Sequence, residues 1–228
     1  MLFTHLLKLD HSLTSTTWST WYHLLDLERK NKIDHLKFAG DRLRSLTAGI
    51  LLRSMLFNYY RLKPTELVFS ASKHGKPFLA SHPGIFFNLT HSEDYVCCSV
   101  SNAPVGIDIE QMKPIDILGI ASFFSVSEQE YIHSKKTEAK QLEAVYSIWT
   151  LKEAFSKQIG LGLSVPLDTY QFILNDEKIL LSTQIKNDAQ FYSRTIDNHY
   201  KFALCSSILS KNIQKQLTLT ELVTKVHF

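Results

Sequence analysis

Cysteine is scarce in this sequence, and the three cysteines that are present form no recognisable site. Cys97 and Cys98 are adjacent and Cys205 lies far downstream. The chain therefore has neither an even disulfide framework nor a C-x-x-C spacing that could bind zinc. We expect free thiols in a reducing cytoplasm.

Long apolar runs are missing as well. No apolar stretch approaches the roughly 18 to 20 residues that a membrane-spanning helix requires. The first segment, MLFTHLLKLDHSL, lacks a basic region and is interrupted by His5 and Lys8, which argues against a signal peptide. The sequence therefore predicts no membrane partner.

Neither sign of charge dominates. The 25 lysines and arginines exceed the 22 aspartates and glutamates by only 3, which is too mild an excess to indicate a nucleic-acid partner. The ten histidines lack an H-E-x-x-H motif, and the wide spacing of His74, His82 and His91 does not indicate a zinc site. What the chain does contain, 44% hydrophobic and 21% charged residues over 228 positions, is typical of a globular protein with one large or two small cores.

The first half of the chain shows a helix followed by strands. Residues 41–60 carry leucine, isoleucine and phenylalanine at helical spacing between arginines, which predicts an amphipathic helix. The predicted strands are residues 67–70, 85–89 and 95–100. Because SNAP at 101–104 has the composition of a turn, we expect VCCSV and VGIDIE to form a hairpin.

The second half repeats this order. Ser127 and Glu130 have capping-box spacing, and a longer helix with apolar residues at i, i+3, i+4 and i+7 from Leu142 ends at Gly160. Four short β-rich runs follow, separated by the turn-like segments NDEK and DNH, which predicts antiparallel strands. The pattern indicates two α+β halves joined near residues 103–106.

The segment VGIDIE at 105–110 combines an apolar face with an acidic one. Its apolar residues alternate with the others, so a strand would bury one face and present Asp108 and Glu110 on the opposite face. The two side chains would start roughly 7 Å apart, and a divalent cation is one way to keep both ionised. Oxygen ligands favour magnesium or manganese. A hairpin with a solvated polar face would show the same alternation.

Two further segments carry candidate functional groups. In WTLKEAFSKQ, Trp149, Glu153 and Lys157 stand four residues apart and share a helix face, so Glu153 could supply a third carboxylate. The alternative is a surface Glu–Lys pair beside a core tryptophan. In FFNLTHS, a strand that ends at Asn88 would place Thr90, His91 and Ser92 in a loop that could offer donors to a phosphate. The absence of G-x-S-x-G argues against a serine hydrolase.

These motifs occur in a fixed order, with FNLTHS at 87–92, VGIDIE at 105–110 and WTLKEAFSK at 149–157. Together with the tripeptide GKP at 75–77, they resemble the Sfp-type 4'-phosphopantetheinyl transferases over most of residues 25–170. The chain departs from the family's usual Ser-His-Ser at Thr90, which retains the hydroxyl group.

The resemblance implies a fold and a division of labour. The expected fold class is α+β, a pseudo-twofold pair of similar α+β halves, each with a long helix packed on a small, mostly antiparallel sheet. Residues 1–104 would form the N-terminal half, which binds coenzyme A. Residues 105–228 would form the C-terminal half, which binds the metal and carries the catalytic helix.

The resemblance also implies residue roles. The metal, magnesium or possibly replaced by manganese, would be held by Asp108, Glu110 and Glu153. The catalytic residues would be Glu153 as the base for the carrier serine, Lys157 and His91. The groups that bind coenzyme A, the substrate, would be Arg29, Lys32, Arg44, Lys76, Thr90, His91 and Lys157. Arg29, Lys32 and Arg44 would lie near the 3'-phosphate and Lys76 beside the adenosine.

The expected partner is an apo carrier protein, either a peptidyl or an acyl carrier, as in nonribosomal peptide and antibiotic biosynthesis. It would dock on the segment from Met112 to Tyr131, where Lys113, Phe123 and Phe124 offer a charge and aromatic anchors. Phe123 and Phe124 could equally be core residues. We expect a cytoplasmic monomer with no nucleic-acid or membrane partner.

Two alternatives stay open. A carboxylate-metal phosphohydrolase or nucleotidyl transferase would use the same oxygen ligands, but it would not need Lys76, His91 and the helix at 149–157 together. A non-catalytic module that binds coenzyme A or carrier proteins would not need the carboxylates Asp108, Glu110 and Glu153.

Overall fold

The computed structural model describes residues 1–10, 13–175, 178–209 and 214–225. The helices in chain order are α1 (Ser15–His23), α2 (Leu27–His35), α3 (Ala39–Tyr60), α4 (Ile117–Ala121), α5 (Val126–His133), α6 (Glu138–Ile159) and α7 (Leu219–Lys225). The strands are β1 (Leu2–Lys8), β2 (Phe69–Ala71), β3 (Pro77–Leu79), β4 (Phe86–Ser92), β5 (Tyr95–Ser101), β6 (Val105–Gln111), β7 (Gln171–Leu174), β8 (Ile179–Ser182), β9 (Gln190–Ile196), β10 (Tyr200–Ser206) and β11 (Gln214–Thr218).

The first half is built around β5, which is buried along its whole length. It is an inner strand of the sheet β11-β1-β5-β4. Because successive side chains of a strand point to opposite faces, Val96 and Cys98 pack into the core around α3, whereas Tyr95 and Cys97 pack into the core that β6 and β10 share. One strand therefore contributes to both cores, which joins the two halves through apolar packing.

The second half packs α6 on the sheet β6-β10-β9. The helix begins after Thr137, whose side chain accepts a hydrogen bond from the Lys140 amide, and ends at Gly160 with φ of 73°. At Gly106, β6 lies so close to α6 that an added Cβ would be 1.9 Å from the Ala154 carbonyl oxygen. This contact explains the glycine within the VGIDIE motif.

The expected fold class is confirmed. Each half has a helix of 22 residues, α3 or α6, on a small sheet. The strand pairs are antiparallel apart from β1 with β11. The predicted helix over 41–60 and the helix that ends at Gly160 are therefore correct, and the four β-rich runs near the C-terminus form antiparallel pairs.

Side chains connect the two sheets where β4 runs beside β6. The Asn88 Oδ1 atom accepts a hydrogen bond of 2.8 Å from the Ile107 amide, and the Ser92 Oγ atom accepts one of 3.0 Å from the Gln111 amide. Between them, the Thr90 hydroxyl donates to Asp108. Every second residue of β4 thus reaches across to β6, and this seam holds the edges of the two halves together.

Four expectations are wrong in detail. Thr90, His91 and Ser92 do not lie in a loop, because β4 continues its pairing with β5 as far as Ser92. β5 pairs with β1 and β4, whereas β6 pairs with β10, so the turn at 101–104 leads from one sheet into the other and does not close a hairpin. The capping box consists of Ser125 and Glu128, and not of Ser127 and Glu130. Glu128 is buried and also forms an ion pair with Lys152. The middle of α3 is buried all round, including Arg53, so this helix is less amphipathic than its pattern suggests.

The last described elements return to the first half. β11 pairs in parallel with β1, and Leu219 and Leu222 of α7 belong to the core around α3. These elements fall within the segment 105–228, although they pack on the N-terminal sheet. In the described part of the chain, none of the helices has both the length and the apolar character that crossing a bilayer demands.

Candidate functional site

Three motifs that are distant in sequence meet at the seam between the halves. A pocket of about 350 Å³ opens where β4, β6 and α6 come together. Its lining residues are Leu89, Thr90, His91, Asp108, Glu110, Trp149, Glu153 and Lys157. The carboxylates, the imidazole and the ammonium group that the sequence singled out therefore share one cavity.

Asp108 is the most deeply buried acid of this pocket, with 2% of its surface exposed. Its Oδ1 atom accepts a hydrogen bond of 3.0 Å from the Thr90 hydroxyl and one of 2.6 Å from the Lys157 ammonium. Its buried Oδ2 atom has no hydrogen-bond partner among the described residues. Burial raises the pKa of Asp108, and the Lys157 charge acts in the opposite direction.

Glu110 and Glu153 bring two more carboxyl groups to the same cavity. Glu110 accepts a hydrogen bond of 3.0 Å from the Ser92 hydroxyl. Burial, followed by the nearby charge of Asp108, raises the pKa of Glu110 to about 7. Burial also raises the pKa of Glu153, with Lys157 opposing and Asp108 reinforcing the effect. The pocket thus holds carboxyl groups that disfavour each other's ionised form.

The predicted metal ligands do not form a closed cluster. Within the described residues, no three histidine, cysteine, aspartate or glutamate side chains are grouped tightly enough to hold a metal ion. Asp108 is instead paired with Lys157, whose ammonium supplies the compensating charge. The donor set is nevertheless one that suits a hard cation, because all three side chains offer oxygen and one Asp108 oxygen is buried without a partner.

Helix α6 determines which groups enter the pocket. Trp149, Glu153 and Lys157 lie four residues apart, so they occupy one face of the helix and all three line the cavity. The neighbouring Lys152 points the other way and donates to the carbonyl oxygens of Leu167 and Tyr170 at 2.7 and 2.8 Å. That buried anchor fixes the rotation of α6. The alternative of a surface Glu–Lys pair is not what the structure shows.

A second pocket, of about 380 Å³, continues the first and shares His91, Glu153 and Lys157 with it. It adds the cations Arg29, Lys32 and Lys76. The combined cleft is acidic where β6 passes and basic where α2 and the residues after β2 approach. Burial, together with the charges of Arg44 and Lys32, lowers the pKa of His91, so this imidazole is surrounded by positive charge.

Lys76 joins the two halves at the floor of this pocket. Its Nζ atom donates to the Gln158 carbonyl at 3.0 Å and to the Val105 carbonyl at 3.4 Å. Burial lowers the pKa of Lys76 to about 8. The side chain therefore spans from β3 to the end of α6 and the start of β6.

Arg44 lies outside the described lining of the basic pocket, although its charge acts on His91, which belongs to that lining. The lining includes Arg29 and Lys32, whereas the Arg44 guanidinium donates to Asp41 at 2.6 Å and to the Glu93 carbonyl at 3.0 Å. Sequence reasoning treated the arginine as a helix residue facing a phosphate. The pair with Asp41 could have been expected from its i,i+3 spacing on α3, whereas the Glu93 carbonyl lies 49 positions away and left no local signal.

Asn88 was missed as a contributor to the site, and Ser92 was expected only as a donor in a loop. Asn88 and Ser92 connect β4 to β6 and so align Asp108 and Glu110 with the pocket. The alternation of polar residues at 88, 90 and 92 was the available signal, because it marks one face of a strand. Trp149, considered as a core residue, is a wall of the acidic pocket.

Two family models match consecutive parts of the chain. One is described as "4'-phosphopantetheinyl transferase, N-terminal" and matches residues 12–103. The other is described as "4'-phosphopantetheinyl transferase superfamily" and matches residues 104–205.

The chain is also similar to individual proteins. It is 32% identical over 202 residues to the 4'-phosphopantetheinyl transferase ffp of Bacillus subtilis, covering 87% of this chain and 89% of that protein. It is 30% identical over 201 residues to the 4'-phosphopantetheinyl transferase Sfp of Bacillus subtilis strain 168, with the same coverage. Among solved structures, Thermotoga maritima holo-[acyl-carrier-protein] synthase matches with a TM-score of 0.40 at 22% identity, over 46% of this chain and 62% of that chain.

Proposed function

Because this chain belongs to the 4'-phosphopantetheinyl transferase family, we propose that it transfers the 4'-phosphopantetheine group of coenzyme A to a serine of an apo carrier protein. Adenosine 3',5'-bisphosphate is the other product. The observation that supports this proposal most directly is the continuous cleft, in which Asp108, Glu110 and Glu153 adjoin a set of cations. A pyrophosphate next to a hydroxyl nucleophile requires both kinds of group.

The chemistry is a phosphoryl-type transfer. The carrier serine oxygen bonds to the β-phosphorus of coenzyme A, the bond from that phosphorus to the bridging oxygen breaks, and the serine proton passes to a base. Such reactions depend mainly on positioning and on neutralising charge. Glu153 is the proposed base, since the raised pKa of its carboxyl group matches proton acceptance better than an ordinary glutamate would.

The cations of the cleft bind and orient the phosphates. Lys157 lies between the acidic and the basic pocket, so it can shift from Asp108 to the phosphates and offset the charge that moves to the leaving group. His91 and Thr90 offer donors at the wall formed by β4. Burial and nearby cations lower the pKa of His91, which suits a site that is completed by an anion.

Asp108, Glu110 and Glu153 would hold Mg²⁺, or Mn²⁺ in its place. Their fit to such an ion rests on their mutual repulsion, on their oxygen donors and on the buried Asp108 Oδ2 atom that lacks a partner among the described residues. When bound, the ion would neutralise the carboxylates and polarise the pyrophosphate.

The N-terminal half, residues 1–104, is proposed to bind coenzyme A, and the half from 105 to 228 to carry the metal ligands and the catalytic helix. Arg29 and Lys32 approach the cleft from α2 and are assigned to the 3'-phosphate. Lys76 is assigned to the adenosine. Arg44 would have to leave Asp41 and the Glu93 carbonyl before it could contact a phosphate, so its part is secondary.

The carrier protein is proposed to dock on the segment from Met112 to Tyr131. Leu118, Phe123 and Val126 are exposed there, with 65%, 61% and 72% of their surfaces accessible, whereas Phe124 is core. An apolar patch of this kind is typical of a protein interface. We further propose a cytoplasmic monomer that serves peptidyl or acyl carriers, as in nonribosomal peptide and antibiotic biosynthesis. Its free, buried cysteines are compatible with a reducing compartment.

Intact-protein mass spectrometry of an apo carrier tests this function. The carrier is incubated with coenzyme A, Mg²⁺ and the protein, and a carrier with its serine replaced by alanine serves as the control. We expect one added phosphopantetheine group on the serine carrier alone. Hydrolysis of coenzyme A with an unmodified carrier would favour a phosphohydrolase, and binding without any chemistry would favour a non-catalytic module.

A further inference from the structure

Helix α2, which carries Arg29 and Lys32 to the cleft, depends on an ion pair outside the cleft's chemistry. Asp26 precedes the helix, and its Oδ1 atom accepts a hydrogen bond of 2.8 Å from the Arg29 amide. Its Oδ2 atom accepts one of 2.7 Å from the Arg53 guanidinium. One carboxylate thus caps α2 and tethers it to α3.

Arg53 is held firmly on its own side. Its side chain is 4% exposed, lies in the buried middle of α3 and donates a second hydrogen bond, of 3.0 Å, to the Gly49 carbonyl. A buried arginine needs a carboxylate partner to offset the loss of hydration. Asp26 is the partner that the structure provides, so the start of α2 is bound to the buried middle of α3.

Gly49 sets how closely α2 lies against α3. A Cβ at this position would come within 2.8 Å of Leu25 and 3.6 Å of both the Arg29 stem and the Arg53 guanidinium. The two helices therefore meet at Gly49, and the Arg29 side chain runs along this contact towards the pocket. Within the described ranges, the Arg29 guanidinium has no hydrogen-bond or ion-pair partner of its own.

We infer that the Asp26–Arg53 pair is a positioning device: it holds α2 so that Arg29 and Lys32 are preorganised for an anionic group of the coenzyme. The inference rests on the proposed function, because it identifies what sets coenzyme affinity at that site. Preorganised donors bind more tightly because less order must be created when the ligand arrives. Neither Asp26 nor Arg53 lines the two pockets that hold Glu153 and Lys157. We therefore expect the pair to affect coenzyme binding and not the chemical step.

Two physical effects of Asp26 predict opposite results when its charge is removed. As a nearby negative charge, Asp26 weakens the attraction of Arg29 and Lys32 for phosphate, so its neutralisation would tighten coenzyme binding. As a positioning group, it strengthens binding, so its neutralisation would loosen it. Asp26→Asn separates the two effects, because asparagine caps helices as well as aspartate does and α2 keeps its N-cap.

The experiment measures kcat and KM for coenzyme A and for dephospho-coenzyme A in wild type, Asp26→Asn, Arg53→Met and the double variant. We expect each single variant to raise the KM for coenzyme A about fivefold or more, with kcat within about twofold. The preference for coenzyme A over the dephospho form should shrink in parallel. The double variant should resemble the worse single variant, because the two residues act as one unit.

Thr14→Ala is the matched control. Thr14 caps α1, another helix of nine residues in the same half, by accepting a hydrogen bond from the Thr17 amide. It should change thermal stability without changing either KM. Circular dichroism of each variant checks that the fold is retained, and isothermal titration with coenzyme A alone gives the affinity should turnover be too slow to measure.

The positioning role would be overturned if both single variants bound coenzyme A more tightly than wild type. It would also be overturned if, in both, the ratio of the KM values for dephospho-coenzyme A and coenzyme A were unchanged. Additive effects in the double variant would also contradict it. These outcomes are distinct from a failure of the proposed function, which would appear as a wild-type protein that modifies no carrier at all.

Discussion

At the residue scale, Asp108 links the two halves, and its ion pair with Lys157 involves a residue that lines both pockets. It accepts hydrogen bonds from Thr90 on β4 and from Lys157 on α6, while its own strand belongs to the second sheet. A charge in so buried a position is tolerated only when it is paired. The residue therefore organises the acidic pocket whether its partner is Lys157 alone or a metal ion as well.

Asp108→Asn should reduce transfer much more than Ser92→Ala. The first change removes a buried charge that we propose as a metal ligand, and we expect a loss of roughly 100-fold or more. The second removes the hydroxyl that donates to Glu110 and accepts from the Gln111 amide, and we expect a loss of about tenfold or less. Initial rates over a range of Mg²⁺ concentrations check this. Equal losses would show that the assigned ligand set is wrong.

Lys76 predicts a pH dependence of coenzyme binding. Because burial lowers the pKa of Lys76 to about 8, its ammonium is charged below that pH and neutral above it. The KM for coenzyme A, measured with the carrier at saturation, should therefore rise as the pH increases through about 8. The measurement is KM for coenzyme A from pH 6.5 to 9.5.

Lys76→Arg is the control for this pH dependence, because arginine stays charged over the whole range. The variant should lose the rise in KM. If the wild type shows no rise, or if the arginine variant keeps it, the Lys76 charge does not contribute to coenzyme binding.

At the element scale, the contact between β6 and α6 places the strand that carries Asp108 and Glu110 against the helix that carries Glu153. Gly106→Ala would place a Cβ 1.9 Å from the Ala154 carbonyl oxygen, which is backbone and cannot move aside cheaply. We expect the free energy of unfolding to fall by about 1–3 kcal/mol or more. Gly84→Ala is the matched control, since an added Cβ there meets no atom within 4 Å. Denaturant titrations measure the free energy of unfolding of both variants. An equal decrease in the two would contradict the tight contact at Gly106.

Most of the helices and strands named in the sequence analysis were predictable from local sequence patterns. The helix that ends at Gly160 was predictable because its apolar spacing and its terminal glycine agree. The pairing of β5 was not predictable, because a turn composition shows that the chain changes direction but not which sheet it enters next. The strand order depends on long-range packing that local patterns do not encode.

The candidate site shows the same limit. Asp108, Glu110 and Glu153 were found because strand and helix periodicity assign residues to faces, and the faces meet as expected. The assignment of Arg44 to a phosphate stays a prediction, and its contact with the Glu93 carbonyl was not predictable because 49 positions separate the two residues. The Asp26–Arg53 pair went unnoticed for the same reason, since 27 positions separate its members.

At the scale of the whole molecule, the pseudo-twofold arrangement creates the cleft. Each half provides one edge strand to the seam, β4 or β6, and one 22-residue helix behind it. Of the charged groups that line the cleft, Arg29, Lys32 and Lys76 come from the first half, and Asp108, Glu110, Glu153 and Lys157 come from the second. The segment proposed for the carrier protein follows β6 directly, so an incoming serine would reach the acidic pocket from the side of the second half.

Lys113 offers a test of that surface. Its ammonium is paired with the Glu93 carboxylate at the rim. If an acidic carrier docks here, Lys113→Glu should raise the carrier KM, and high salt should reduce the difference from wild type. Glu93→Gln frees the lysine and should lower the carrier KM. Steady-state kinetics with varied carrier concentration at two ionic strengths checks both expectations. If the carrier KM changed in the same direction in both variants, the Lys113–Glu93 pair would not belong to the interface.

The central claim is that the cleft between the halves is the active site. The most direct test is the rate at which the Glu153→Gln variant transfers phosphopantetheine. Single-turnover experiments with saturating coenzyme A and an apo carrier, followed by intact-protein mass spectrometry, measure the chemical step. We expect a rate roughly 100-fold or more below wild type, because a general base contributes about 10²–10⁴, with coenzyme affinity changed far less. A single-turnover rate equal to that of wild type would contradict the account.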